Sequence, residues 1–473
     1  GAGSGLNIIA RDTSRTFIDL QNATITDNTQ NGVGGETFND SRMGVSITSP
    51  TDEDFTGITS ISDNGQNGIT LVASPDSPSI NTSQVDLFVE DALISGNSGR
   101  GINLLATESS QFGNSTDPFL TPDGDPILIQ NNMITGNGSD GIGSTRRGDA
   151  FINAAFIGNT ITGNTSDGID LLAQNANLMD TYLIQDNVIE NNTVGIDIRV
   201  EADAVIDATI NNNLIQSNSS DGIRVTDRAN SALDLREVIG TWTQNMILSN
   251  GGNGILLDGP YGAISDLQIG LNGTDGDGAS LGNIIDGNGG WGIQSTAVGN
   301  ASIQNNEITN NGLGGINIAG VIPAGNFVEI DNNLISGNTG IGIELLAENV
   351  VSLGATITNN VISTNTGDGI ELATLDVAVS LVEIDGNVIF DNGGRGIDIL
   401  NAGAGAISDI TVDNNFVDEN GGEGVYVVNS SSRDQYDFKD DPTPNEDPLT
   451  DPTHGMVANG SVFSDPQMAV SYT

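Results

Sequence analysis

The stretch GNTITGNTSDGIDLL, residues 158–172, is followed by DNVIENNTVGIDIRV at 186–200 and by NNLIQSNSSDGIRV at 212–225. Each holds two asparagines five residues apart, then a Gly before Ile, then apolar residues at every second place. The three glycines, Gly168, Gly195 and Gly222, lie 27 residues apart. Taking a Gly before an aliphatic residue as the register mark gives fourteen units. They fall at Gly44, Gly68, Gly101, Gly141, Gly168, Gly195, Gly222, Gly254, Gly292, Gly315, Gly342, Gly369, Gly396 and Gly424, and six of the thirteen spacings equal 27. Such a period overrides the 473-residue length as a guide to domain number, because repeat arrays grow by stacking units.

Alternation of period two, as in Ile196, Ile198 and Val200, signals strand, and the runs are short and broken by Asn, Gly, Ser and Asp. Apolar spacing of three and four, the helix signal, is missing from the units. One unit of about three strands cannot bury its own apolar face. Stacked in register about 4.8 Å apart, successive units can. The expected fold is an all-β, parallel β-helix solenoid of about 14 coils over residues 1–430, a rod of roughly 60 Å. Ile169, Ile196, Ile223, Ile343, Ile370 and Ile397 are expected to form an internal ladder, with Asn137, Asn164, Asn192, Asn218, Asn338, Asn365 and Asn392 stacked at a corner. Asn suits a corner because it tolerates left-handed backbone and can bond both its own turn and the next coil's amide.

The phrase N-x-I-x-x-N-x-x-D-G-I-x-L resembles the right-handed parallel β-helix repeat family, which includes NosD-like proteins, mannuronan C5-epimerase modules and many bacterial surface proteins. The resemblance covers residues 17–430. It implies a fold much more strongly than an activity.

Sixty-two acids stand against 13 bases, a net charge of -49, and Lys439 is the only lysine. Nucleic acid and anionic membranes are poor partners for such a chain. Salt would relieve its self-repulsion, which suits an extracellular or cell-surface setting. The absence of cysteine excludes disulfides and thiolate chemistry. No stretch is long and apolar enough to be a spanning helix.

Uronate lyases and epimerases on this fold must neutralise a carboxylate and move a proton, work that draws on Lys, Arg, His or Tyr. The single His454 lies in a Pro- and Asp-rich tail, and the motifs of epimerases and polygalacturonases are missing. No catalytic residue is assigned. Asp197, Arg199 and Arg224 are expected to share one outer face as an ion-pair patch. Glu344, Glu371 and Asp398 occupy the same outward position in three consecutive coils, and like charges so stacked invite a cation. Oxygen ligands without His or Cys favour calcium, and Asp275 and Asp277 offer a second such place.

Long spacings add loops at 73–90, 106–126, 226–241 and 258–281, which could flank a groove. Tyr182, Trp242, Tyr261 and Trp291 are the aromatics that could stack a sugar there. Residues 431–473 break the repeat as an acidic, Pro-rich tail with an added strand. The expected function is a non-enzymatic extracellular structural protein, a segment of a surface layer, adhesin or filament. Self-assembly would run through rod ends or the tail. The alternatives are a polysaccharide-acting enzyme, uronate lyase- or epimerase-like, and a glycan-binding module.

Overall fold

The computed structural model describes residues 3–49, 57–74, 83–113, 126–174, 178–202, 204–228, 237–259, 266–296, 300–319, 327–348, 352–376, 378–402, 406–429, 462–463 and 469–472. The chain divides into two compact units, Gly1–Gly259 and Pro260–Thr473. Each is a parallel β-helix of three sheets, here called A, B and C.

One coil shows the plan. Ile169–Gln174 lies in sheet A, Met179–Gln185 in sheet B and Val188–Glu190 in sheet C. Each strand pairs in parallel with its copy one coil away: Ile169 stands opposite Ile142 and Ile196, and Ile189 opposite Ile161 and Ile215. The inward positions form the core. Ile169, Ile196 and Ile223 in the first unit, and Ile343, Ile370 and Ile397 in the second, are fully buried.

Where sheet C returns to sheet A, one asparagine per coil forms a continuous chain. The side-chain amide of Asn164 donates to Asn192 Oδ1 at 3.0 Å and to the Ile134 carbonyl at 3.3 Å. Its own Oδ1 accepts both the backbone N–H and the Nδ2 of Asn137, at 3.1 and 2.9 Å. Asn338, Asn365 and Asn392 repeat these bonds in the second unit. A second chain, at the corner between sheets B and C, runs through Asn132, Asn159, Asn187, Asn213 and Asn245.

Two details differ from the sequence reading. The left-handed residue is not the ladder asparagine but the one before it: Asp186, Asn191, Asn212 and Ser217 have φ of 57, 57, 53 and 54°. The first register mark is also not Gly44, which sits in a sheet B strand opposite Asp86. Gly32 carries it, with Val33 opposite Ile69, and Gly5 marks a coil earlier still. The insertion at 50–56 had hidden that register. Glycine is needed at the mark because a Cβ on Gly195 would lie 2.4 Å from the Gly222 carbonyl oxygen and 2.5 Å from Ile215 Cγ2.

At the end of the second unit, Ala469–Tyr472 pairs with Val425–Asn429 and Val462–Phe463 with Phe416–Asp418, both parallel. The chain's own last strands therefore extend sheets A and C there.

Asn164→Ala strips a buried corner of both its donor and its acceptor, leaving the partners on either side unpaired. Stability is expected to fall by about 1–3 kcal/mol, read from the urea midpoint. An unchanged midpoint would reduce the ladder to a by-product of packing.

Candidate functional site: charged faces of sheet A

Outward residues of sheet A gather the charged groups. In the first unit Asp170, Asp197 and Arg224 stand in one row, each opposite the next. Asp140, Asp167 and Asp221 form a parallel row just before the Gly marks. That row also builds the backbone: Asp140 Oδ1 accepts the Asp167 N–H at 3.1 Å, and Asp167 Oδ1 accepts the Val194 N–H at 3.2 Å.

Three arginines close over these acids. Arg100 reaches Asp140 at 2.7 Å and Asp170 at 2.6 Å. Arg199 binds Asp170 at 2.5 Å and Asp197 at 3.3 Å. Arg224 grips Asp197 with two nitrogens, both at 2.9 Å. The carboxylates lie beneath the guanidinium groups, with Asp170 only 1% and Asp197 only 2% exposed. Burial, reinforced by Asp197 and Asp140, pushes Asp167 up to about 7. Asp170 is also raised, by burial that Arg199 only partly offsets.

Among the described residues, Asp167, Asp170 and Asp197 are the carboxylates that converge, with oxygens within 4.8 Å of one another. The countercharge there already comes from Arg100, Arg199 and Arg224. Sequence reasoning singled out Asp197, Arg199 and Arg224 but missed Arg100, Asp140, Asp167 and Asp170. The signal was available in the Asp that precedes the Gly mark at 140, 167 and 221.

In the second unit Asn317, Glu344, Glu371, Asp398 and Tyr426 form one row. Its ends are occupied. Asn317 Nδ2 donates to Glu344, and Arg395 binds Asp398 at 2.5 Å and Glu423 at 3.1 Å while lying 3.8 Å from the Tyr426 ring centroid. Glu371, between them, is raised to about 7 by burial and by Glu344, Asp368 and Asp398. The three carboxylates are thus stacked, but they do not converge on one point as the trio in the first unit does, because Asn317 and Arg395 hold the outer two. Asp275 Oδ1 accepts the N–H of Asp277 and of Ala279, tightening its own loop.

Of the aromatics, Tyr182 and Trp242 are buried inside the coil and offer no face to a sugar, and Trp291 is half-buried. Tyr261, His454 and Lys439 lie outside the described residues, as do much of the four inserted loops and residues 430–461.

An acid whose folded pKa is raised penalises the folded state once it must ionise. For Asp167 and Glu371 that penalty is absent below about pH 4 and grows as pH rises to about 7. The melting temperature is therefore expected to fall between pH 5 and pH 8, and Asp167→Asn with Glu371→Gln should flatten that slope. A slope unchanged by the two substitutions would exclude these groups as its source.

Residues 268–441 match the family model of the right-handed β-helix region. No curated protein matches the chain. Among solved structures, the mannuronan C-5 epimerase AlgE6 A-module of Azotobacter vinelandii is similar, with 13% identity over 92% of each chain and a TM-score of 0.33. The match to the family model lies within the second unit, and the first unit has the same three-sheet coil.

Proposed function

We propose that the chain is a non-enzymatic structural module, a β-helical scaffold segment of an extracellular or cell-surface assembly. The observation that supports this reading is the fate of its charges. Arg100, Arg199 and Arg224, on the first unit's outer face, are committed to buried aspartates, while the exposed Arg228 pairs with Glu201 and the exposed Arg147 with Gln174. Arg395, in the second unit, is shared between Asp398, Glu423 and Tyr426. The polar residues of the repeat are spent on joining coil to coil. Net charge of -49 keeps such a stack soluble and suits saline surroundings.

The partner is further copies of the chain or of a larger surface layer, engaged through the coil ends or through residues 431–473. Electron microscopy of native material is expected to show a multi-copy assembly, and removal of 431–473 is expected to disperse it. Dispersed, uniform single molecules in the native preparation would contradict the reading.

Incubation with alginate or pectin is expected to yield no unsaturated product by ultraviolet absorbance; a clear signal would favour the polysaccharide-acting alternative. Calcium is proposed as a structural ligand of the Glu344, Glu371 and Asp398 row. It should raise the melting temperature at constant ionic strength, because at a hundredfold excess over Kd binding stabilises the folded state by about 2.7 kcal/mol. An unmoved melting temperature would leave that row a solvated acidic stripe.

A further inference from the structure

The interior of the first unit is mostly apolar, but two described strands of sheet A carry a charged residue at the same inward position, Asp227 opposite Val200 and Arg146 opposite Ala173. In the strand Ile142–Arg147 the inward positions that hold Leu171 and Ala173 one coil later are taken by Ser144 and Arg146. Both are fully buried. Arg146 Nε binds Asp180 Oδ2 at 2.6 Å, and neither side chain is exposed at all. Asp180 Oδ1 accepts the Ile152 N–H at 2.9 Å. The Ser144 and Tyr182 hydroxyls meet at 2.9 Å. Tyr182 fits because its register neighbours on either side are Ala154 and Ala208.

These bonds join two different coils across the interior. Ser144 and Arg146 belong to the coil marked by Gly141, whereas Asp180 and Tyr182 belong to the one marked by Gly168. The corner asparagines and the isoleucine columns of the repeat cannot tell one coil from another. If the coil of Gly168 looped out and the coil of Gly195 took its place, Asn159 would meet Asn213, Asn164 would meet Asn218 and Ile161 would meet Ile215. Every ladder bond would be remade. Inside, however, Arg146 would face Ile206 instead of Asp180, and Ser144 would face Ala208 instead of Tyr182. A buried, unpaired guanidinium is far costlier than any mismatch the ladders would register.

We infer that Ser144, Arg146, Asp180 and Tyr182 form a register lock, an interior polar contact that lets only one stacking order of near-identical coils close during folding. A well-packed apolar pair could hold the core as tightly, so stability alone does not explain the four residues. A skipped coil forfeits its own burial, so the error matters as a trap on the way to the native state rather than at equilibrium.

The chain has no cysteine, which allows a direct test in the full-length protein. Thr160 and Val188 are outward register partners on adjacent strands, and Leu214 is the partner of Val188 one coil further. Thr160→Cys with Val188→Cys places the Cα atoms about 4.8 Å apart, within disulfide reach, and reports the native register. Thr160→Cys with Leu214→Cys spans about twice that distance, too far to close unless a coil has been skipped. Each pair is refolded from denaturant and then oxidised, with the lock intact and with Arg146→Met plus Asp180→Leu.

The expected result is that the skipped-coil disulfide rises about tenfold when the lock is removed, the ratio that about 1.4 kcal/mol of lost discrimination gives. The native-register disulfide should still form in the remaining molecules. If Arg146→Met with Asp180→Leu does not fold, Ser144→Ala with Tyr182→Phe carries the same comparison, since it removes hydroxyls without stranding a charge. Only the native disulfide in the folding variant, or equal skipping with the lock intact, would overturn the inference.

Discussion

The constraint on which the rest depends is that every coil must turn three times while keeping its backbone polar groups satisfied in a narrow interior. The corner asparagines meet it with a polarised chain of amides. Each accepts from the coil before and donates to the coil after, and its second N–H closes a strand carbonyl, as Asn192 does with Ile161 at 3.0 Å. An amide in such a position can be satisfied only if its neighbours have the same residue at the same depth. The repeat is therefore required by the bond rather than merely decorated with it.

Other recurring residues follow from that bond. The ladder asparagine is brought so close to the next turn that a Cβ at Gly168 would lie 3.0 Å from Asn192 Nδ2 and 2.5 Å from Ile189 Cγ2, so glycine recurs there. The residue ahead of the ladder must bend into left-handed geometry, and it is mostly Gly, Asn, Asp or Ser, with Gln244, Thr364 and Glu419 taking it in three coils. The Ile next to the mark is left to fill the interior.

Charge is handled differently on the two faces of sheet A. Outside, like-charged aspartates in register are tolerable because Arg100, Arg199 and Arg224 each bridge coils and share the burden. Asp167, which no arginine grips directly, is the one whose protonation is pushed up to about 7. Inside, the ion pair of Arg146 and Asp180 is tolerable because backbone groups from Ile152, Gly148 and Val205 complete it. The outer network binds neighbouring strands of one sheet, whereas the inner one crosses from sheet A to sheet B.

The sequence by itself determined the solenoid. Period-two alternation and a 27-residue recurrence of Asn and Gly admit few other ways to bury Ile169, Ile196 and Ile223, because those signals are local and repeat often enough to average out exceptions. It also placed Asp197, Arg199 and Arg224 on one outer face, since strand alternation settles which side a residue takes. Tertiary structure alone decided which of those charges touch. The partnership of Arg100 with Asp170 spans 70 residues, and that of Arg146 with Asp180 spans 34 and joins different coils and different sheets. The first register mark escaped as well, because an inserted loop displaced Gly32 from the common spacing and left Gly44 as a better-looking substitute. Periodicity reports what every coil shares; contacts made by one coil alone depend on how the sheets face each other across the interior, and no period carries that information.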